Sequence, residues 1–394
     1  MKTTLAAVSA TFALAVSAAA QSTPAPPASG LEVRFCPEAV ARTYPLDSTR
    51  GVQGLLLQNA LVVNHGAPVK LESIEIALMR GTDAVDSRLI SGPALDAAAK
   101  NGAALQASGA LEAFSFQFCS GRLLNGAKLA DELVLETGEA LLIMHQPFSW
   151  TGERDAVRVS ARSLRGEETV TGRAFIPIDG TSSKTRFRFP LKSGTWLVVA
   201  GASFHTTHRW AAPEEFALDI VQIGPNHRSY RTDGAAHADF FAYGAEVVAA
   251  ADGKVVQVIT GGKEHPPLLR RPGEGIDDYY ARIGAQQSEN LKGGPSGVIG
   301  DGVVIDHGHG EYSLYAHLKP GSVTVRTGQE VKSGATIGRL GSSGNSTEAH
   351  LHFQVGDKPS ALECAGIVPT FFGFEIANSD GPRPLQSGDL VVVP

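Results

Sequence analysis

Two histidines separated by a single residue, His350 and His352, lie near the C-terminal end of this 394-residue chain. Apolar and polar residues alternate around them, which predicts a strand on which side chains two positions apart share a face. Neutral imidazole is a common metal ligand, and imidazole also titrates near neutral pH. The pattern therefore indicates that one histidine holds a cation while the other moves protons. The alternative is an ordinary strand with two exposed histidines.

A carboxylate within an apolar strand strengthens the metal interpretation. Asp219 stands between Leu218 and Ile220, and burial of an unpaired carboxylate is costly. A metal ion would remove that cost. Two further histidines, His205 and His208, come shortly before it. They face opposite sides if this segment is extended, so we expect only one of them at a site with Asp219.

A predicted hairpin brings in another histidine. Residues 302–318 are expected to form two strands, with His307 and His309 as turn residues and His317 on the returning strand. A second hairpin is predicted over 243–256, with its turn at 251–253. Residues 261–300 show little periodicity, and we predict a long loop there that borders a cleft.

Length and composition limit the possible functions. A chain of 394 residues is expected to form two domains, and 43% hydrophobic with 19% charged residues is typical of a globular protein. The formal net charge of −6 gives no electrostatic reason to expect nucleic acid, and no basic run predicts binding to an anionic membrane.

The N-terminus predicts export. Residues 1–20 read as a signal peptide, with Lys2, a short apolar run and a small-residue cleavage site, and residues 21–30 as a flexible Pro/Ala-rich leader. No later stretch is long and apolar enough to span a membrane. The expected location is the periplasm, the extracellular space or the cell wall.

The half from 31 to 178 is predicted to be an immunoglobulin-like β-sandwich, because short strand-like runs alternate with turn residues. A bulge is expected at Ser73, and a helix over 93–106. Disulfides persist in exported proteins, and we predict that Cys36 pairs with Cys119, which leaves Cys364 free. Each of the paired cysteines follows strand-like residues, 33–35 in one case and the alternating Phe114, Phe116 and Phe118 in the other. No ligand cluster is found here, so this half is expected to serve binding, spacing or steric control.

The second half resembles a known enzyme family. Its ordered motifs are Gly244-Ala245-Glu246-Val247, Ala251-Asp252-Gly253, Tyr315-Ala316-His317-Leu318, Gly341-x-x-Gly344-Asn345-Ser346 and His350-Leu351-His352-Phe353. From about residue 196 to 374, the chain resembles the LytM/lysostaphin-type zinc metallopeptidases of family M23. The resemblance implies a compact antiparallel β domain over 179–394 that hydrolyses peptide bonds, most typically in peptidoglycan.

The same resemblance implies roles for individual residues. It makes His352 and Asp219 ligands of one zinc ion per chain, and it leaves His350 and His317 unligated for catalysis. The family generally has His-x-x-x-Asp, whereas here an insertion separates the two. His208 is the expected third ligand because it is nearer to Asp219, with His205 as the alternative, and Arg209-Trp210 are expected to cover the metal.

The residues themselves agree with a zinc hydrolase. Two histidines and one carboxylate leave an open coordination position for water on a tetrahedral zinc ion. The chain has no His-Glu-x-x-His motif, so a histidine must act as the base, and the sequence does not say whether it is His317 or His350. The rival hypotheses are a non-catalytic cell-wall-binding regulator on the same scaffold and an adhesion module. The oligomeric state is left open.

Overall fold

The structure is a computed structural model that describes residues 29–204, 206–377, 379 and 383–394. The chain is mainly β, as predicted. The expected signal peptide, the leader up to residue 28 and the alternative ligand His205 lie outside the described residues.

Ten strands and four helices make up the first half. The strands are β1 (Leu31–Cys36), β2 (Ala41–Asp47), β3 (Val52–Asn64), β4 (Val69–Arg80), β5 (Asp83–Ser91), β6 (Lys128–Leu129), β7 (Val134–Leu135), β8 (Glu139–Trp150), β9 (Ala156–Arg165) and β10 (Glu168–Asp179). The helices are α1 (Pro93–Ala107), α2 (Ala110–Ala113), α3 (Ser115–Phe118) and α4 (Ser120–Leu124).

These strands form two groups around one core. The order is β5-β4-β9-β10-β2-β3-β8-β6, and a short parallel pairing of β10 with β2 joins the groups. Leu57 and Ile143 of one group share a core with Ile76 and Val159 of the other. This is the layering of a sandwich. The immunoglobulin-like character, and the division of the chain near residue 178, stay predictions.

Two local predictions in this half are confirmed. Helix α1 begins with Pro93 in its first turn, where the missing N–H costs nothing, and it is rich in alanine. The register between β4 and β9 shifts between Leu71 and Ser73, where the bulge was expected.

The predicted cysteine pairing is confirmed, but the strand that was expected before Cys119 does not form. Cys36 and Cys119 form a disulfide, and Cys364 is free and buried. Residues 114–118, however, form no strand, because helix α3 occupies residues 115–118 and Phe114 links it to α2. Three alternating phenylalanines make a strand only where a neighbouring strand can pair with them, and here Phe118 packs with the outer side of β3 and β8 instead.

The described residues of the second half form thirteen strands. They are β11 (Arg186–Arg188), β12 (Gly194–Ala200), β13 (Leu218–Gln222), β14 (Glu246–Val248), β15 (Gly253–Ile259), β16 (Asp301–Asp306), β17 (Tyr312–Leu318), β18 (Glu330–Val331), β19 (Thr336–Arg339), β20 (Leu351–Gly356), β21 (Thr370–Phe372), β22 (Glu375–Ile376) and β23 (Leu390–Val393). Helices α5 (Ile276–Leu291) and α6 (Pro295–Ile299) and two 3₁₀ turns, His208–Trp210 and His237–Asp239, complete it.

A nine-stranded antiparallel sheet organises this half. Its order is β18-β15-β16-β17-β20-β13-β12-β23-β22, and β14 pairs with β19 in a small second sheet. Large buried side chains, including Phe187, Trp196, Tyr315 and Phe353, fill the core on one face of the nine-stranded sheet. The predicted hairpin over 302–318 is confirmed as β16 and β17.

Two predictions for this half are wrong. Residues 243–256 form no hairpin, because β14 pairs with β19 while β15 pairs with β16 and β18. The Asp252 carboxylate accepts a hydrogen bond from the Ser333 N–H instead of closing a local turn. The predicted loop after Gly261 contains helices α5 and α6. Only Asn290 of α5 is buried, so this helix lies on the surface.

Candidate metal centre and groove

Three adjacent strands bring the predicted site residues together. Asp219 on β13 lies directly opposite His352 on β20, and Ala316 on β17 lies opposite His352 from the other side. His317 follows Ala316, and His350 stands one residue before β20. All four candidate side chains from these strands therefore meet at the middle of the sheet.

The carboxylate of Asp219 is the centre of the cluster. Its Oδ1 lies 3.1 Å from Nδ1 of His352 and 3.4 Å from Nε2 of His350. Its Oδ2 lies 3.2 Å from Nε2 of His208. Possible ligand atoms of His208, Asp219 and His352 all lie within 4.8 Å of one another. His350 and His352 reach the same carboxylate, so the predicted shared face is confirmed.

A glutamine fixes the orientation of His352. Nε2 of His352 lies 2.9 Å from Oε1 of Gln354, and Nε2 of Gln354 donates to the Ala361 carbonyl at 2.9 Å. The amide group is thereby held with its oxygen toward the imidazole. The His352 ring therefore carries its proton on Nε2 and presents the lone pair of Nδ1 to the site.

His350 and His317 are oriented by backbone carbonyls. Nδ1 of His350 donates to the Glu348 carbonyl at 2.8 Å, and Nδ1 of His317 donates to the Ser343 carbonyl at 2.8 Å. A carbonyl only accepts, so in the neutral form each ring keeps a lone pair on Nε2. Their ring centroids are 4.7 Å apart. Both rings can therefore accept a proton beside Asp219.

His317 has an unusual backbone. Its φ of 60° lies in the left-handed region, which residues other than glycine rarely adopt. The ladder between β16 and β17 is irregular between Asp301 and Val303, close to this position. The sequence carries no sign of this conformation, which turns His317 out of the regular strand alternation.

Charge and burial set the protonation of the cluster. Burial disfavours the ionised Asp219 carboxylate and raises its pKa. The attraction of His208 and His350 is stronger and holds the pKa of Asp219 well below the usual range. Burial opposes protonation of His208, His350 and His352, yet the carboxylate raises the pKa of each. For His317, burial and then His350 and His352 lower the pKa well below its usual value. His317 is thus a neutral base at neutral pH.

The turn that carries His208 rests on the first half of the chain. Nε2 of Gln58 donates to the Arg209 carbonyl at 2.9 Å, and Nε2 of His145 lies 3.0 Å from the Trp210 carbonyl. Residues 208–210 form a 3₁₀ turn, so the argument that holds for an extended segment does not apply to His208. No local pattern around residue 208 indicates either contact, because both partners lie far away along the chain.

Arg209 does not cover the metal site, contrary to expectation. Its side chain is completely buried and its Nη1 lies 2.9 Å from Oε1 of Glu215. The guanidinium carbon lies 4.9 Å from the ring centre of Phe216 and 5.0 Å from that of Phe204. A buried charge needs such partners, and the turn is anchored through them.

A groove of about 460 Å³ opens beside the cluster. The second half contributes Gln287, Asn290 and Leu291 from α5, so the prediction that 261–300 borders a cleft is confirmed. The first half contributes Phe114, Phe116 and Gln117. This contribution was missed from the sequence, where the three phenylalanines were assigned to a strand.

The donor set fits a zinc ion. Ligands about 2.0–2.1 Å from a tetrahedral zinc ion are separated by roughly 3.3 Å, which is close to the 3.1 and 3.2 Å that separate Asp219 from His352 and His208. Nδ1 of His208 is also buried without a hydrogen-bond partner among the described residues, so no protein group fixes its tautomer.

Comparison with known families agrees with these residues. Residues 236–363 match the profile of peptidase family M23. This part of the chain is an M23 peptidase-family domain. The matched range includes His317, His350 and His352, whereas His208 and Asp219 lie upstream of it, so their assignment to the M23 site rests on their positions in the structure.

The relatives share only part of their length with the M23 chain. The DD-carboxypeptidase/endopeptidase Mpg of Neisseria meningitidis serogroup B is 30% identical over 166 residues, which are 36% of this chain and 37% of the relative. The cell division protein DipM of Caulobacter vibrioides is 34% identical over 77 residues, which are 18% of this chain and 12% of DipM. The chain thus spans little more than a third of these relatives' length at most.

Solved structures include the catalytic domain of lysostaphin from Staphylococcus simulans. The match has 16% identity and a TM-score of 0.24, and it covers 44% of this chain and 88% of that domain. Within the part of the M23 chain that the structure describes, no helix has the length and apolar character needed to cross a membrane.

Proposed function

We propose that this M23-family chain is an exported zinc metalloendopeptidase that hydrolyses peptide bonds in peptidoglycan. The observation that carries the proposal is the Asp219 carboxylate, which meets His208 and His352 within ligand distance and has His350 beside it. His208, Asp219 and His352 would hold the metal, one ion per chain. His205, the alternative third ligand, lies outside the described residues.

The bound zinc ion would supply a Lewis acid that polarises the scissile carbonyl and lowers the pKa of water to about 7. The protein supplies the proton transfers. Nε2 of His350 or His317 accepts the proton of the attacking water, and once protonated the same N–H can donate to the oxyanion or to the leaving nitrogen. The Glu348 and Ser343 carbonyls keep both rings in the required orientation.

The substrate class and location are proposed from the family and from chemistry. The usual substrate of the family is peptidoglycan, and one relative is named as a DD-carboxypeptidase/endopeptidase. The Cys36–Cys119 disulfide suits an oxidising compartment, which supports export to the periplasm or cell wall.

The two unligated histidines provide the direct test. We expect His350→Ala and His317→Ala each to retain one zinc ion per chain and to lose about 10²–10³-fold in kcat, because each removes a proton-transfer or oxyanion-stabilising group but no ligand. Zinc content is measured on the purified protein and turnover by mass spectrometry of digested muropeptides.

His309→Ala is the matched control, because His309 is exposed in the turn between β16 and β17. It should keep both zinc and turnover. Zinc binding by the wild type without any turnover of peptidoglycan would favour the regulator instead, and loss of zinc from His350→Ala would contradict the assigned roles.

The glutamine behind His352 leads to a second prediction. Gln354→Ala removes the acceptor that fixes the His352 tautomer, so zinc affinity should fall by about 10–100-fold. Gln354→Glu keeps an acceptor oxygen and should retain most of the affinity. Competition with a chromophoric chelator measures both variants, and equal affinities for Gln354→Ala and the wild type would refute the orienting role.

A further inference from the structure

The groove beside the metal cluster has one wall from the first half of the chain. Phe114, Phe116 and Gln117, in and next to helix α3, line the same groove as His317 and His352. Phe114 and Phe116 are half-buried, with ring centroids 6.5 Å apart. We call residues 113–117 the aromatic wall.

The aromatic wall is fixed to the first half. Cys119, three residues after Phe116, is bridged to Cys36 at the end of β1. Nη1 of Arg34 on β1 donates to the Leu124 carbonyl at 3.0 Å and to the Leu123 carbonyl at 3.3 Å. The disulfide and these hydrogen bonds therefore attach the segment that contains the aromatic wall to strand β1.

A largely apolar cavity adjoins the groove. This second cavity has a volume of about 410 Å³, and it shares Phe116, Leu291, Val298 and Ile299 with the groove. Of these side chains, Phe116, Leu291 and Val298 are only half-buried. They would lose further contact with water if an apolar group entered.

We propose that the aromatic wall and helices α5 and α6 form an apolar subsite that binds one aliphatic side chain of the substrate peptide, next to the bond that is cleaved. This inference rests on the proposed peptidase function. It makes Phe114 and Phe116 specificity-determining residues supplied by the accessory half, which gives that half a direct part in substrate choice.

The volume of the groove indicates that the aromatic wall forms a binding subsite and does not block the groove. With the wall in place, the groove keeps about 460 Å³, within the range of about 300–1,000 Å³ that is typical of ligand sites. The groove is lined both by the polar cluster of Asp219 and its histidines and by apolar side chains. An occupant must therefore combine a polar backbone with an aliphatic group, as a peptide does.

The test measures peptide binding without turnover. The full-length protein is treated with chelator, and fluorescein-labelled tetrapeptides with glycine, alanine or leucine at each position in turn are titrated by fluorescence anisotropy. We expect the wild type to prefer leucine over glycine at one position by about tenfold. In Phe114→Ser and Phe116→Ser the preference should fall below about threefold.

Phe175→Ser is the matched control, because Phe175 is 54% exposed on β10 and does not line the groove. It should keep the full preference. Non-reducing mass spectrometry checks that each variant retains the Cys36–Cys119 bridge. Absence of any side-chain preference in the wild type, or an unchanged preference in both wall variants, would overturn the subsite.

A uniform rise in affinity for all peptides in the wall variants would also overturn it, because a plug would behave in this way. The outcome is separable from the fate of the peptidase. If the protein shows a side-chain preference but the zinc-loaded form hydrolyses no peptide, the subsite is supported and the proposed peptidase activity is contradicted. If it hydrolyses peptide without any side-chain preference, the activity is supported and the subsite is contradicted.

Discussion

Asp219→Asn is expected to reduce zinc content from one ion per chain to less than about one tenth and to lower turnover by more than about 10³-fold. The carboxylate contacts His208, His350 and His352 at 3.1–3.4 Å, so it is at once the proposed ligand and the acidic partner that these three rings share. Loss of a single oxyanion donor costs about 10²–10³-fold, and loss of the metal should cost more.

Asparagine keeps the size of the side chain, so the packing of β13 against β20 should survive. Asp252→Asn is the matched control, because Asp252 lies on the surface and pairs with Lys332. Zinc content by atomic absorption and muropeptide digestion measure both variants. A zinc-loaded, fully active Asp219→Asn protein would exclude Asp219 as a ligand.

The second large effect concerns stability. Glu215→Ala should destabilise the protein by about 3–5 kcal/mol at pH 8, because it leaves the completely buried Arg209 guanidinium without its carboxylate partner. Calorimetric unfolding detects this as a lower transition temperature. The double variant Arg209→Met/Glu215→Leu should recover most of the loss, since an apolar pair needs no charge compensation.

Glu289→Ala is the control, because Glu289 and Lys292 form an exposed pair, and its effect should stay within about 0.5 kcal/mol. An unchanged transition temperature in Glu215→Ala would show that the Arg209 charge is stabilised by other groups.

The same carboxyl group makes stability depend on pH. Burial raises the pKa of Glu215 to about 7, while the attraction of Arg209, a hydrogen bond from Gln58 and the charge of Arg42 act against this. Its folded-state pKa lies above the unfolded value of 4.5, so the folded state binds the proton more tightly. Its contribution to stability is therefore present below about pH 4.5 and is lost as the pH rises to about 7, by about 3 kcal/mol in total. Unfolding of Glu215→Gln across this range should show a flatter profile.

The part of the site that could be predicted depends on local geometry. The two-residue period of a strand puts His350 and His352 on one face whatever surrounds them, and both reach Asp219. Asp219 was recognisable because a carboxylate among apolar strand residues needs a compensating partner. The hairpin of β16 and β17 followed from equally local turn and strand patterns.

The part that could not be predicted depends on contacts between distant residues. Residues 114–118 alternate like a strand, yet Ser115–Phe118 form the short helix α3 beside the groove. Helix α5 was missed although Ile276, Tyr279, Tyr280 and Ile283 recur at helical spacing, because the glycines and prolines on both sides of it favour a loop. The His208 turn takes its shape from Gln58 and His145, which no pattern near residue 208 reveals.

The support of the His208 turn limits how this protein can be taken apart or recombined. If the chain is cut at the predicted boundary near residue 179, the candidate ligand His208 belongs to the second piece, while Gln58 and His145, which contact its turn, belong to the first. Exchange of the first half for an unrelated accessory domain would remove the contacts from Gln58 and His145 that support the turn carrying His208. The two halves should therefore be expressed and engineered as one unit.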